Sequence, residues 1–390
     1  MTQASAKLLV AASGTGGHLF PAIATAEQLT DFQIEWLGVS NRLETQLVPQ
    51  TYPLHIIEVE GLQSSRLGLA IRSLTRMASA TWQVRKLLSQ GQFSGVVTTG
   101  GYIAAPAILA ARTLGLPTVL HESNALPGKV TRWLSPFCSV VAVGFDAAAS
   151  YLPRARCVHV GTPVRSQFLS AVNASADHSS ADHSGVADSE LKPDSVTQFT
   201  HSSAGLADFD IPDDVPLIVV VGGSQGAVAV NQLVRQTAPA WLEQGAWIVH
   251  LTGDNDPDAD SFSHPHYISM PFYNDMAALL QRADLAVSRA GAGTLTELAI
   301  TQTPAILIPY PFAAEDHQSF NAAIFAAAGA SQVYKQSTLS VDDLKTKVLD
   351  LIQSPDRLQV MATAADNLAI ADSAEQLAEL IRKTVQGYLK

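Results

Sequence analysis

Short apolar runs alternate with helix-period stretches along almost the whole chain. In the first half the runs are Leu8–Ala12, Ile34–Val39, Gly95–Thr98, Thr118–His121, Val140–Val143 and Val158–Val160. In the second they are Leu217–Val221, Trp247–Leu251, Tyr267–Met270, Leu285–Val287 and Ala305–Ile308. Short runs with little polar alternation predict strands covered on both faces by helices, which means parallel sheets built from βαβ units. One helix is predicted from Leu67 to Leu88, with Leu67, Ile71, Leu74, Ala78 and Trp82 on one stripe and Arg72 and Arg76 on another. The chain from Val341 onward also reads as helical.

The rhythm breaks between about Ser170 and Asp210, where Ser, Ala, Asp and His dominate and large apolar residues are few. This divides the chain into a first domain at 1–168, a low-complexity linker or insertion at 169–210 and a second domain at 211–365. A closing helix at 366–390 is expected to cross back to the first domain. His178, His183 and His201 fall in the insertion and are expected to be solvated rather than metal-binding.

Glycine-rich turns follow the apolar runs in both halves. They are Ser13-Gly14-Thr15-Gly16-Gly17-His18, Gly222-Gly223-Ser224-Gln225-Gly226-Ala227 and Arg289-Ala290-Gly291-Ala292-Gly293-Thr294. A strand, a glycine turn and a helix gather backbone N–H groups at a positive dipole end, which suits phosphate. Two such units predict a nucleotide-linked substrate in a cleft between two α/β domains. A dinucleotide is disfavoured, because Leu19 holds the sixth position of the first turn and no acidic residue ends the second strand near Val39.

His18 sits where a helix begins. A neutral imidazole there is a candidate general base, and capping of its own helix is the equal alternative. Thr294 and Glu297 fit a capping box, yet Glu297 can equally accept from a ribose diol, and the glycines before it favour the second reading. Gly100-Gly101-Tyr102 and His121-Glu122-Ser123-Asn124 both follow strands at the ends where ligands sit in such sheets. Arg165 can pair with phosphate, and the Asp316–Asn321 stretch carries sugar-type hydrogen-bonding groups. Asp254–Asp260 lacks the glycine and glutamate of a calcium loop and reads as an exposed acidic loop.

Composition sharpens the picture in three ways. The 390 residues, 47% hydrophobic, allow two cores. Cys138 and Cys157 form neither a disulfide framework nor a metal spacing. No stretch approaches the ~20 apolar residues of a spanning helix, and the N-terminus does not read as a secretory signal. The net charge of −11 hides a basic region: from Gly61 to Val143 the only acidic residue is Glu122. An anionic membrane surface or a diphosphate-bearing lipid fits that region; nucleic acid does not, for want of basic–aromatic interleaving.

Taken together, Gly-Thr-Gly-Gly-His at 14–18, Gly-Gly-Tyr at 100–102, His-Glu-x-Asn at 121–124, Gly-x-Pro-Val-Arg at 161–165, Gly-Gly-Ser-Gln-Gly-Ala at 222–227, Glu297, Gln318 and Asn321 resemble the MurG family of bacterial cell-wall glycosyltransferases. The resemblance covers nearly the whole chain outside the insertion. It implies the GT-B fold, two Rossmann-like α/β domains with parallel sheets facing a central cleft. It implies an inverting N-acetylglucosaminyltransferase that uses UDP-GlcNAc as donor and undecaprenyl-diphosphate-linked muramoyl-pentapeptide as acceptor. Such an enzyme works peripherally at the cytoplasmic face of the inner membrane, with no cofactor or metal.

The resemblance also assigns roles. His18 lies at the reaction centre, with Glu122 as the other candidate base. Ser224 meets the UDP phosphates, Glu297 the ribose, and Phe272 and Tyr273 the uracil. Asn124, Arg165 and Gln318 meet the sugar–diphosphate. Thr15, Gly16, Gly17, Gly293, Thr294 and Asn321 complete the donor site, and Gly101 and Tyr102 face the acceptor. Ser123 and Ala105 depart from the family's usual Gln and Gly. Another GT-B glycolipid synthase, a UDP-sugar epimerase and a non-catalytic sugar-nucleotide regulator are the competing readings.

Overall fold

The chain is seen as a computed structural model that describes residues 6–40, 42–58, 67–170, 206, 208–223 and 227–389. Most of the 169–210 segment and Ser224 lie outside the described residues, as do the side chains of the predicted stripe at Leu67, Ile71 and Leu74.

The first half contains β1 (Lys7–Ala11), α1 (Gly16–Gln28), β2 (Gln33–Val39), α2 (Glu44–Leu47), β3 (Leu54–Ile57), α3 (Leu67–Gln90), β4 (Gly95–Thr98), α4 (Ala104–Thr113), β5 (Thr118–Glu122), α5 (Lys129–Leu134), β6 (Val140–Val143) and β7 (Cys157–His159). Its strands form one parallel sheet in the order β3-β2-β1-β4-β5-β6-β7. The second half contains β8 (Leu217–Val221), α6 (Val228–Glu243), β9 (Trp247–Leu251), β10 (Tyr267–Met270), α7 (Met276–Arg282), β11 (Leu285–Ser288), α8 (Ala292–Ile300), β12 (Ala305–Leu307), α9 (His317–Ala328), β13 (Ser331–Val333), α10 (Val341–Ile352), α11 (Pro355–Asp366) and α12 (Ser373–Leu389). Its sheet, also parallel, runs β10-β9-β8-β11-β12-β13. This is the doubly wound pair that the apolar runs predict.

Alternation along each central strand divides its side chains between two cores. Leu8 and Val10 pack under α1 and α12, whereas Leu9 and Ala11 pack under α3 and α4. Ile218 and Val220 face α6 and α10; Leu217, Val219 and Val221 face α7 and α8. Both sheets therefore point the carboxyl ends of their central strands, and the turns that follow, toward the interdomain crevice.

The closing helix packs on the first sheet. Leu377, Ala378, Ile381 and Val385 are buried there, and Arg382 binds Asp31 at 2.8 Å and the Gln28 carbonyl at 2.7 Å, satisfying the end of α1. The chain crosses between halves earlier than residue 168. Val160 belongs to the first core, while Val164 and Phe168 already belong to the second. The turn lies at Gly161, whose φ of +76° suits glycine and where an added Cβ would stand 2.9 Å from Ile370 on the returning segment.

The Asp254–Asp260 loop is largely exposed, as expected, with one side chain turned inward. Asp256 is buried in a bidentate pair with Arg235 and also accepts from Asn231 at 2.7 Å. Burial alone would raise its pKa, but these bonds outweigh it and hold the carboxyl below its ordinary value. Among the described residues no cluster of metal ligands forms.

Asn231 uses its amide nitrogen on Thr252 O and Asp256, so its oxygen accepts from His250 Nε2 at 3.0 Å. His250 Nδ1 then accepts from the Tyr267 hydroxyl at 2.6 Å, and the ring is held neutral. Burial, reinforced by the Arg235 charge, pushes its pKa down to about 3.

The unfolded chain thus binds a proton that the folded chain refuses, so the stability is present above about pH 6.5 and is lost as pH falls toward the folded value. Urea unfolding should show a loss of about 2 kcal/mol from His250 alone between about pH 7.5 and about pH 5. His250→Gln, which cannot charge, should remove that part of the slope, and an unchanged slope would contradict the assignment.

Candidate active site

The first wall of the crevice is the turn after β1. Thr15 is the N-cap of α1, so His18 lies in its first turn. The imidazole rests over Gly100 and Gly101: a Cβ on Gly100 would stand 3.4 Å from His18 Cε1, and one on Gly101 3.7 Å from Nε2. Both glycines have positive φ, +93° and +76°, which lets the backbone pass beneath the ring. His18 Nδ1 lies 2.7 Å from the Thr99 carbonyl, and Thr99 Oγ1 donates to the His18 carbonyl at 2.9 Å. A carbonyl only accepts, so Nδ1 carries the proton and Nε2 keeps its lone pair. Nε2 has no partner among the described residues. Tyr102, half exposed, stands on the same loop.

Sequence reasoning gave no role to two residues here. Thr99 fixes the tautomer. Glu44, fully buried, accepts from Ser13 Oγ at 2.5 Å, Val39 N at 2.7 Å and Gly14 N at 3.3 Å. The signal for Glu44 was a lone acid shortly after an apolar strand, and its distance past Val39 hid it.

Glu122 is buried and saturated. One oxygen accepts from Asn124 N and Nδ2 at 3.1 and 3.0 Å, the other from Gly128 N at 3.2 Å and Thr131 Oγ1 at 2.6 Å. Four donors fill its acceptor sites, so it anchors the 124–131 loop. Next to it His121, fully buried, lies 2.8 Å from the Gly161 carbonyl through Nε2, and burial lowers its pKa.

The opposite wall comes from the second half. Gly223 ends the described part of its turn with φ +86° and open space around its Cβ position. The helix N-cap at α8 is Gly291, not Thr294, so the expected Thr294–Glu297 capping box does not form. Gly293 and Thr294 lie in its first turn. Gln318 Oε1 accepts from Ala290 N at 3.2 Å and Tyr310 N at 2.9 Å, which turns its NH2 away from both and leaves it unpaired among the described residues.

Two expected ligand contacts are placed elsewhere. Tyr273 is buried in the second core, its ring tilted 42° against Phe209 and its hydroxyl donating to Asp208 at 3.0 Å, with burial and that contact pushing its pKa up to about 12. Its neighbour Phe272 is exposed. Asn321 is fully buried and fully used: it accepts from Ala125 N at 2.9 Å and donates to Asn124 Oδ1 and Ala290 O, both at 3.1 Å. Asn321 and Asn124 are thereby a seam between the halves.

Three further contacts cross the crevice. Arg165 Nη2 donates to Glu297 Oε1 at 3.1 Å, and its guanidinium lies 4.6 Å from the Phe20 ring of α1. Burial raises the Glu297 pKa and Arg165 opposes the rise. Arg165 Nε is buried without a partner, and Glu297 Oε2 is free among the described residues. Arg132 pairs with Glu315, and Tyr151 meets Phe320 edge-on at 6.5 Å. Glu315 and Asp316 are consecutive left-handed non-glycine residues, φ 54° and 59°, beside that pair.

The chain matches two family models, the glycosyltransferase family 28 N-terminal domain over residues 8–143 and its C-terminal domain over residues 217–377. It is 60% identical over 389 residues to a protein of Nostoc sp. strain PCC 7120 called UDP-N-acetylglucosamine–N-acetylmuramyl-(pentapeptide) pyrophosphoryl-undecaprenol N-acetylglucosamine transferase, covering 99% of this chain and 100% of the relative. A protein of Gloeothece citriformis with the same name is 57% identical, covering 98% and 97% of the two chains. Among solved structures, Acinetobacter baumannii MurG aligns with a TM-score of 0.71 at 28% identity over 97% of this chain and 99% of that one. A UDP-N-acetylglucosamine 2-epimerase aligns with a TM-score of 0.64 over 98% and 97%, but at 11% identity it shares the fold alone.

Asn321→Ala should strand the buried Ala125 N–H and the Ala290 carbonyl, at a cost of about 1–3 kcal/mol for each group left unpaired. Hydrogen exchange at the Ala125 amide should accelerate accordingly; unchanged protection there would mean that the seam is held by other contacts.

Proposed function

The chain belongs to glycosyltransferase family 28, and from that premise we propose that it transfers N-acetylglucosamine from UDP-GlcNAc to the C4 hydroxyl of undecaprenyl-diphosphate-linked muramoyl-pentapeptide. The observation that carries the mechanism is the His18 ring, pinned through Nδ1 with Nε2 open to the crevice. Nε2 takes the acceptor hydroxyl proton while the oxygen attacks the anomeric carbon from the face opposite UDP. One displacement inverts the centre, giving a β-1,4 link and free UDP.

The base is His18 rather than Glu122. Nε2 has an unused lone pair, whereas all of the Glu122 acceptor capacity holds the 124–131 loop in place. Glu122 supports the reaction by setting Asn124 and, through Asn321, the spacing of the two walls.

On the donor side, negative charge grows on the departing diphosphate. The turn at Gly222–Gly223, with Ser224 beyond it, and the N-terminus of α8 at Gly293 and Thr294 supply N–H groups for that charge. The buried, unpaired Nε–H of Arg165 is a further donor that lacks an acceptor until an anion arrives. Glu297 keeps one free oxygen for the ribose diol, and the Gln318 NH2 is free for a sugar hydroxyl. Phe272, exposed, borders the uracil. Thr15, Gly16 and Gly17 close the crevice from the first half, with Gly101 and Tyr102 on the acceptor side.

No helix among the described residues is long and apolar enough to cross a membrane. Trp82 on α3 and Trp133 on α5 are 63% and 68% exposed, and both helices pack on α4. With Lys86 and the basic character of this half, they form the surface that meets the anionic cytoplasmic leaflet, where the lipid acceptor resides.

The test is UDP release from UDP-GlcNAc with and without the lipid-linked muramoyl-pentapeptide. Release should require the acceptor. His18→Ala should lower kcat by about 10²- to 10⁴-fold while UDP-GlcNAc binding persists. Donor binding with no acceptor-dependent release from the wild type would sink the proposal.

A further inference from the structure

Glu44 has no place in the reaction as described, yet it is buried against the turn that leads to His18. Its carboxylate is fully buried with no lysine or arginine partner among the described residues. A buried charge persists only where hydrogen bonds repay its lost hydration. Here three donors converge on it: the Ser13 hydroxyl, the Gly14 N–H and the Val39 N–H, at 2.5, 3.3 and 2.7 Å. Both oxygens are used as acceptors. A glutamine would present an NH2 where Gly14 or Val39 already offers N–H, so the arrangement selects a carboxylate.

The local backbone is shaped around it. A Cβ on Gly38 would stand 2.8 Å from Glu44 Cγ, so β2 admits the side chain only because residue 38 lacks one. Gly14 has φ +108°, outside the range of ordinary side chains, and Ser13 and Gly14 lead directly into the Thr15 N-cap and the first turn of α1. The Ser13 carbonyl also abuts Gly101, 3.7 Å from its Cβ position. In dinucleotide-binding folds an acid past the second strand faces outward to a ribose. In this chain the acid turns inward and accepts from the Gly14 N–H.

We infer that Glu44 is a positioning residue for catalysis: it fixes the Ser13–Gly14 turn so that His18 Nε2 meets the acceptor hydroxyl. His18 is then held twice, by Thr99 at the ring and by Glu44 through the main chain that enters the helix. This rests on the reading of His18 as the base.

A double-mutant cycle tests it. Glu44→Gln should lower kcat by about 10- to 100-fold, the scale of a small misplacement of a reacting group, with donor and acceptor KM unchanged within about two-fold. In the His18→Ala background the same substitution should lower the residual kcat by less than about two-fold, because a residue acting through His18 has nothing left to position. Ser13→Ala, which removes one donor and keeps the buried charge, should repeat the pattern at about 3- to 10-fold and serves if Glu44→Gln does not fold. An equal fall in both backgrounds, a change confined to KM, or an unchanged kcat would overturn the inference. Acceptor-dependent turnover by the wild type is measured in the same series, and its absence would refute the transferase reading instead.

Discussion

Everything at the crevice depends on how the two halves are set against each other, and that setting turns on Gly161. The chain there passes from one core to the other within a few residues: Val160 is buried in the first and Val164 in the second. The returning segment lies against the same point, with Ile370 where a side chain of residue 161 would be. His121, uncharged in its buried site, ties the Gly161 carbonyl to the end of β5. Two parallel sheets thus share one narrow junction, and their carboxyl-terminal turns face each other by construction. The Asn124–Asn321 and Arg132–Glu315 contacts then span the opening that the junction creates.

Several residues that looked chemical serve architecture, and for one reason. A polar group buried in a low-dielectric wall must have its bonds made within the protein. Glu122 has four donors, Asn321 has bonds on both oxygen and nitrogen, and Tyr273 has Asp208. Groups satisfied in this way have little left to offer a ligand. Among the described residues His18 Nε2, Gln318 NH2, Glu297 Oε2 and Arg165 Nε keep a vacancy on elements that border the crevice, while Thr118, Thr162, Arg282, Ser331 and Ser373 also hold buried polar atoms without a partner.

Most of the fold was legible because buried parallel strands leave an unmistakable apolar run. The strands that escaped were β3 and β13, the outer strands of the first and second sheets, short and only partly buried, so that their composition does not separate from loop. The turn after β1 was legible in its glycines and histidine. What was not legible was occupancy. Sequence gives the residue types at a turn but not which donors are already spent, so the bonds of Glu44 and the four donors on Glu122 could not be read from it. The capping-box alternative at Thr294–Glu297, which the glycines already disfavoured, does not form, since the helix starts at Gly291 and puts Thr294 inside it.

The pattern of spent and unspent groups divides the chemistry between the halves. On the first wall a carboxylate accepts from Ser13 and Gly14 of the glycine turn, and the proposed base, His18, keeps one ring nitrogen without a partner among the described residues. On the second wall the turns carry no such filler among the described residues, and Arg165, reaching across from the crossover, adds a cation. A proton acceptor on one side and anion stabilisers on the other match the two places where charge moves in a single displacement: a proton leaves the attacking hydroxyl as negative charge reaches the departing diphosphate.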